Sequence, residues 1–205
     1  MQFKKADVEK ALLKAARAEF LAHGFKDASI RTIAGKAGVA RSNLYNYFAS
    51  KDALFTALVQ PTLDEIRDAF TLAWEMMISA GNVPFPSLEH ELAEGRLLVE
   101  FIDSHRENLT LILLKSQGSS VEGFIDYVQE EYQKMHSYYF DSMKARFPEK
   151  FPAGVSPFFM HTLSAWALNI VMEFISHDIP LREMLNYIEQ FTRFYYHGLL
   201  GLMES

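Results

Sequence analysis

The sequence predicts an all-α protein, and three observations predict it. Apolar residues recur at three- and four-residue steps along most of the 205 residues. No stretch sustains an alternation of polar and apolar residues, and no Asn-Gly or Asp-Gly pair joins two β-branched segments as a hairpin would require. Ser, Gly and Pro punctuate the helical runs and divide the chain into a segment of short helices, residues 1–50, and a longer helical bundle, residues 51–205.

The first helix is expected from about Val8 to His23, with Val8, Leu12, Ala16 and Phe20 on one face and Gly24 as its left-handed stop. Ser29 is a natural N-cap for a short second helix whose inward residues are Ile30, Ile33, Ala34 and Ala37, and Gly38 ends it. A third short helix runs from about Arg41 to Phe48, turning Leu44 and Phe48 inward at i and i+4. Ser50 caps a longer helix that carries Leu54, Phe55 and Leu58; Pro61 either kinks or divides it before it continues to about Ser79. A loop at Gly81 to Pro86 precedes a helix capped by Ser87 that reaches about His105. A short helix from Leu109 to Gln117 ends at Gly118, and a long one spans Val121 to Phe147. After a loop from Pro148 to Gly154, the last two helices cover Pro157 to Ser176 and Pro180 to Met203.

Hydrophobic residues make up 49% of the chain and charged residues 22%, with 10 Gly and 7 Pro, which excludes disordered, collagen-like and low-complexity chains. Without cysteine there is no disulfide framework, zinc ribbon, iron–sulfur cluster or thiol nucleophile, and the expected compartment is cytoplasmic. The opening MQFKKADVEKALLK lacks the apolar core of a secretory signal, so export is not expected. Phe151 to Met172 runs 22 residues without a formal charge. A helix begun at Ser156-Pro157 has 17 residues before Glu173, short of the ~20 that a bilayer requires. A helix buried in protein is expected there, with no membrane.

The net charge of −6 is unevenly spread. Residues 1–60 carry 10 Lys/Arg against 5 Asp/Glu, whereas residues 61–205 carry 10 against 21. A basic head on an acidic body turns the head toward a polyanion. In that head, two short helices joined by Ala37-Gly38-Val39 have the proportions of a helix-turn-helix. With Leu44 and Phe48 inward, a 100° step per residue leaves Arg41, Ser42, Asn43, Tyr45, Asn46 and Tyr47 outside. These donors, acceptors and aromatic hydroxyls suit base edges and phosphates in a major groove about 12 Å wide.

The same residues carry a family resemblance. Phe20, Gly24-Phe25, Ser29 to Ala34, Ala37-Gly38-Val39 and Leu44 to Phe48, followed by Ser50-Lys51 and Leu54, resemble the N-terminal domain of the TetR family of bacterial transcriptional regulators. The resemblance covers about Val8 to Leu58. It implies an all-helical homodimer with a three-helix helix-turn-helix DNA-binding domain on each subunit and a divergent C-terminal bundle that binds a small effector and dimerises. Members are mostly repressors. Matched residue by residue, it gives Arg41, Ser42 and Tyr45 contacts to base edges or thymine methyls, and Arg31 a base or phosphate. Ser29, Asn43, Asn46, Tyr47 and Lys51 match positions that grip the DNA backbone, and the helix N-terminus at Ser50 beside Lys51 is itself an anion site. The chain departs from the family pattern at Ala40, where relatives place Ser or Thr as the recognition-helix cap, at Ser42-Asn43 in place of Gly-Thr, and at Asn46 in place of His. Its operator sequence is therefore its own.

No catalytic arrangement accompanies this head. The seven histidines include none in Glu-x-x-His or His-Glu-x-x-His spacing, and there is no Gly-rich phosphate loop, GxSxG elbow or Ser-x-x-Lys. Glu173 and His177, four apart, either share a metal or make an ordinary i, i+4 contact. The reading is not an enzyme, with no catalytic residue, no metal and no cofactor; a helical enzyme is the minor alternative.

The body is rich in aromatic residues and Met, a composition that suits adaptable ligand walls as well as core. The resemblance sets an effector cavity among its middle helices, which makes Trp74, Phe101, His105, Phe124, Tyr127, His136, Tyr139, Trp166 and Asn169 the candidates. The acidic body favours a neutral or cationic aromatic effector. Finally, the last two helices are apolar on more than one face: Phe158, Phe159, Leu163, Trp166, Ile170 and Phe174 on one, Leu185, Ile188, Phe191, Phe194, Tyr195, Leu199 and Leu202 on the other. A homodimer through these two helices would cover them. The whole reads as a repressor released from a pseudo-palindromic operator by a small molecule, or as a DNA-binding activator or adaptor answering to a protein partner.

Overall fold

Nine α-helices and no strand occur among the described residues, which in this computed structural model are 5–79, 87–149 and 155–203. The chain's contacts divide it into two compact units: the residues up to Ile66 with Arg106–Ile125, and Arg67–His105 with Asp126 onward. The first unit contains the short-helix segment of residues 1–50 and adds to it the start of the fourth helix and the stretch around the sixth.

Helix α1 is Lys5–Asp27, interrupted at Gly24, whose φ of 73° and ψ of 168° lie outside the helical region. The φ is left-handed as expected, but the ψ is extended, and the difference matters. It swings the backbone so that Phe25 donates its N–H to the Lys115 carbonyl at 2.7 Å, tying this break to the segment after α6. Helix α2 is Ile30–Lys36, with Ser29 accepting from the Thr32 N–H as its cap. Gly38, at φ 71°, turns the chain into α3, Arg41–Leu44.

The expected eight-residue third helix is thus only half as long. After Leu44 the backbone tightens: Asn46 donates to the Asn43 carbonyl and Tyr47 to that of Leu44, both i to i−3. Tyr, Asn and Tyr are poor helix formers, and the Asn43 and Asn46 side chains bond each other. One further bond, Phe48 N–H to the Leu44 carbonyl, keeps both anchors buried on one side as the spacing required.

Helix α4, Lys51–Ser79, runs without division through Pro61. Its first half belongs to the first unit, where Phe55 sets its ring edge-on against Phe20 and Phe25. Helix α6, Arg106–Leu114, starts earlier than expected and returns to the same unit. Arg17 of α1 reaches Glu107 and Asn108 there, and Asn108 donates to Thr62 of α4. Beyond α6, Ser120 donates its N–H and hydroxyl to the Asp52 carboxylate, both at 2.8 Å.

The second unit holds the rest of α4, α5 (Leu88–Ser104), α7 (Phe124–Arg146) from Asp126, α8 (Pro157–Ser176) and α9 (Leu181–Met203). Helices α5 and α9 pack along each other, and at Gly95 an added Cβ would stand 3.0 Å from Thr192 Oγ1 and 3.2 Å from Ile188. Phe140, Met143, Met160 and Leu199 form a buried cluster joining α7, α8 and α9. The loop expected at Gly81 to Pro86 lies outside the described residues, as does the part of the Pro148 to Gly154 loop beyond Glu149.

Helix α8 matches its expected bounds, and one expectation for it, burial within the protein, needs correction. It continues past Glu173 to a length of 20 residues, long and apolar enough by length and composition to cross a membrane. Only 22% of its most apolar window is buried within this chain, and Phe158 is 79% exposed. Ser156 and Pro157 start it as a capped proline helix, and near its end the Glu173 carboxylate meets His177 at 3.0 Å.

Candidate nucleic-acid interface

The helix-turn-helix is rigid where it is buried and bare where it is not. Its buried side consists of Ile30, Ile33 and Ala34 from α2 with Leu44 and Phe48 from the recognition segment. Glu19 of α1, only 3% exposed, holds the two helices together by accepting from the Ser29 N–H at 3.2 Å and from Lys36 Nζ at 2.9 Å. Burial works against the charged carboxylate, but the Lys36 and Ser29 donors outweigh it and hold the Glu19 carboxyl below its usual range. This brace is not legible from spacing, because Glu19 falls among surface-type residues of an amphipathic helix.

On the outer side, Arg31, Arg41, Ser42, Tyr45 and Asn46 are exposed, and Asn43 and Tyr47 are half-buried. Arg31 and Arg41 spend no donor on a protein partner among the described residues. Leu44 is wholly buried and Tyr45 is 41% exposed, and at about 100° per residue Arg41, Ser42 and Tyr45 fall on one outer arc. Ala40 caps α3 with backbone geometry alone and no side-chain hydrogen bond. The surface is a short row of donors and an aromatic hydroxyl on a basic head, matched to phosphate oxygens and base edges.

Four of the residues matched to the DNA backbone have internal partners, Asn43 and Asn46 through their mutual bond. Ser29 spends its oxygen on the α2 cap. Lys51 donates to the carbonyls of Lys26 and Ala28 at 3.0 and 2.9 Å and sits over the Phe25 ring, closing the end of α1 that Gly24 opened. One N–H of that ammonium is left for an outside acceptor.

The effector candidates do not converge on one place. Phe124 is 7% exposed and lies in the first unit, whereas the other eight belong to the second. There, Trp74 donates to Glu131 at 3.2 Å, and Lys134 and Trp74 together hold that carboxyl low against its burial. Phe101 stacks on His105, and Tyr127 meets Phe70 edge-on. His136 bonds Tyr195, and Tyr139 packs against Phe140. Trp166 and Asn169 line a cleft of about 290 Å³ between α8 and α9, together with Glu173, His177, Tyr187 and Phe191. Sequence reasoning passed over Glu131 and Tyr195, the partners of Trp74 and His136, since a carboxylate and a tyrosine at helical spacing read as ordinary surface and core.

Residues 12–58 match the model of the bacterial regulatory proteins, tetR family. The chain is 40% identical over 67 residues to the HTH-type transcriptional regulator YdgC of Bacillus subtilis (strain 168), covering 33% of this chain and 34% of that protein. It is 43% identical over 56 residues to the HTH-type transcriptional regulator RutR of Escherichia coli (strain K12), covering 27% and 26%. The chain thus spans about a third or less of the length of the curated relatives it matches. Over its whole length the likeness is one of fold: a TetR-like transcriptional regulator from Rhodococcus sp. RHA1 aligns with a TM-score of 0.63 at 20% identity, covering 98% of this chain and 100% of that one.

Proposed function

We propose that this chain, whose residues 12–58 match the model of the bacterial regulatory proteins, tetR family, is a sequence-specific DNA-binding transcriptional regulator of the cytoplasm, a repressor rather than an enzyme. One observation carries the reading: Arg41, Ser42 and Tyr45 stand free on the outer face of a segment whose opposite face, Leu44 and Phe48, is locked into the head. Arg41, Ser42 and Tyr45 read base edges, with Arg31 in support. Asn43, Asn46, Tyr47, Ser29 and the remaining Lys51 donor hold phosphates.

The protein acts as a homodimer through α8 and α9. Phe158 at 79% and Phe194 at 73% exposure are the apolar groups that a second copy would cover, and a two-fold pair of heads prefers a pseudo-palindromic operator. A small aromatic effector, neutral or cationic, binds among the helices of the second unit and lowers operator affinity, a coupling of about 1–3 kcal/mol.

Footprinting on the DNA upstream of the protein's own gene tests this reading. Protection of a symmetric site, lost in Arg41→Ala and Tyr45→Ala, is the expected result. Equal binding of those variants and the parent chain would refute the base-reading roles.

A further inference from the structure

The cleft between α8 and α9 has a floor, a wall and a mouth of different chemistry. Ile170 and Phe174, both buried, form the floor, and Trp166 and Phe191, half-buried, meet edge-on at 5.7 Å as an aromatic wall. Asn169, Glu173, His177 and Tyr187 stand exposed around the mouth. From Trp166, the positions i+3, i+4, i+7 and i+11 supply Asn169, Ile170, Glu173 and His177, so a single stripe of α8 carries one whole side. At about 290 Å³ the space has the size of a small ligand pocket.

The polar groups at the mouth are spent in a way that leaves acceptors. His177 Nε2 donates to one Glu173 oxygen at 3.0 Å, and the other carboxylate oxygen has no partner among the described residues. No lysine or arginine among them pairs with Glu173. Tyr187 donates its hydroxyl proton to Glu183 at 3.4 Å, which leaves its oxygen to accept. The Asn169 side chain makes no hydrogen bond to a described residue, and its carbonyl oxygen is a further acceptor. Residues 173–187, which close this end of the helix pair, carry Glu173, Asp178 and Glu183 against Arg182 and His177. The local field favours a positive charge.

A second copy of the chain is a poor occupant. Cores of protein interfaces are depleted of charge, and Phe158, 79% exposed, lies at the opposite end of the pair, where Met160 packs with Leu199. We propose that the cleft binds a protonated aromatic amine, with its ring on the floor against Trp166 and Phe191 and its ammonium group donating to the free Glu173 oxygen at the mouth. The proposal rests on the effector reading above and gives that ligand a place and a charge. An anion would meet the Glu173 carboxylate, and a neutral aromatic would leave it without a new partner. The rings of Trp166 and Tyr187 add attraction for a cation.

The test uses the full chain with 2-phenylethylammonium, 2-phenylethanol and phenylacetate as size-matched probes. The chain has two tryptophans, so Trp74→Phe leaves Trp166 as the sole reporter at the cleft. In that variant, checked for folding by circular dichroism, the ammonium should change Trp166 emission saturably, with the midpoint that calorimetry gives for the unaltered chain. Glu173→Gln should weaken binding about tenfold or more. Its unfolding midpoint should stay in place, because the Glu173 side chain is 55% exposed and its pair with His177 is a surface contact. His177→Ala frees the carboxylate and should bind the ammonium at least as well as the parent chain. Failure of the ammonium to bind at millimolar concentration, binding that leaves Trp166 emission unchanged, equal binding by Glu173→Gln, or preference for the alcohol or the carboxylate would overturn the proposal. Trp166 emission that moves with protein concentration and not with the ammonium would seat a second copy in the cleft and overturn it too. Ammonium binding without effect on operator affinity would keep the site and remove its effector role. Operator affinity lowered by the alcohol or the carboxylate alone would sink the site assignment and leave the effector reading standing.

Discussion

Lys36 Nζ lies 2.9 Å from Glu19 Oε2, and the pair clamps α2 to α1 beneath the recognition segment. Glu19 has 4% of its side chain exposed and Lys36 51%, so the energetic weight rests on the carboxylate. Glu19→Gln keeps the size and an acceptor for Ser29 but loses the charge, and should cost about 1–3 kcal/mol in urea unfolding at neutral pH. Because the folded carboxyl titrates below its usual value, this stability is present above the unfolded carboxylate pKa and is lost as pH falls through the folded one. The gap between parent and variant should therefore close in acid.

Arg41→Ala and Tyr45→Ala change exposed groups with no role in the buried side of the head. Each should weaken operator binding by about 1–3 kcal/mol in a fixed-salt titration and leave the unfolding midpoint unchanged. A loss of stability in step with the loss of binding would reassign these residues to packing.

Ala40 leaves the first turn of α3 without a side-chain cap. Ala40→Ser supplies an oxygen for the Asn43 N–H and should stabilise the protein by about 1 kcal/mol. Differential scanning calorimetry checks it; a lower melting temperature would mean that the uncapped turn is held by contacts that a hydroxyl disturbs.

Phe194 is 73% exposed beside Trp166, whose ring lies 6.1 Å away. If α8 and α9 join two copies, Phe194→Glu should yield monomers in sedimentation velocity at micromolar concentration, with helical content retained by circular dichroism. A variant that stays dimeric would move the seam elsewhere.

What the residues disclosed and what they hid divides along a physical line. Ser29, Ser87 and Ser156 announced three helix starts because a cap is a local event, satisfied within three residues. Gly24 announced a left-handed φ, and Gly38 the end of α2, for the same reason. The outer and inner faces of the recognition segment were legible from Leu44 and Phe48 alone. Its true length was not, since the choice between i−4 and i−3 bonding after Leu44 depends on a balance too fine for spacing to register. Lys51 looked like a free ammonium, because the carbonyls of Lys26 and Ala28 that take it lie more than twenty residues upstream. Likewise, nothing in the run from Arg106 to Ile125 says that it returns to the first unit, where Arg17, Asp52 and Thr62 receive it.

The missing side chain at position 95 has a bearing on lineage. Thr192 and Ile188, both stiff at χ1, crowd the place a methyl would take, so the two helices meet through a gap that one hydrogen atom keeps open. Among descendants of this gene, a larger residue at 95 should arise together with a smaller one at 192 or 188, and drift at either site alone should be rare.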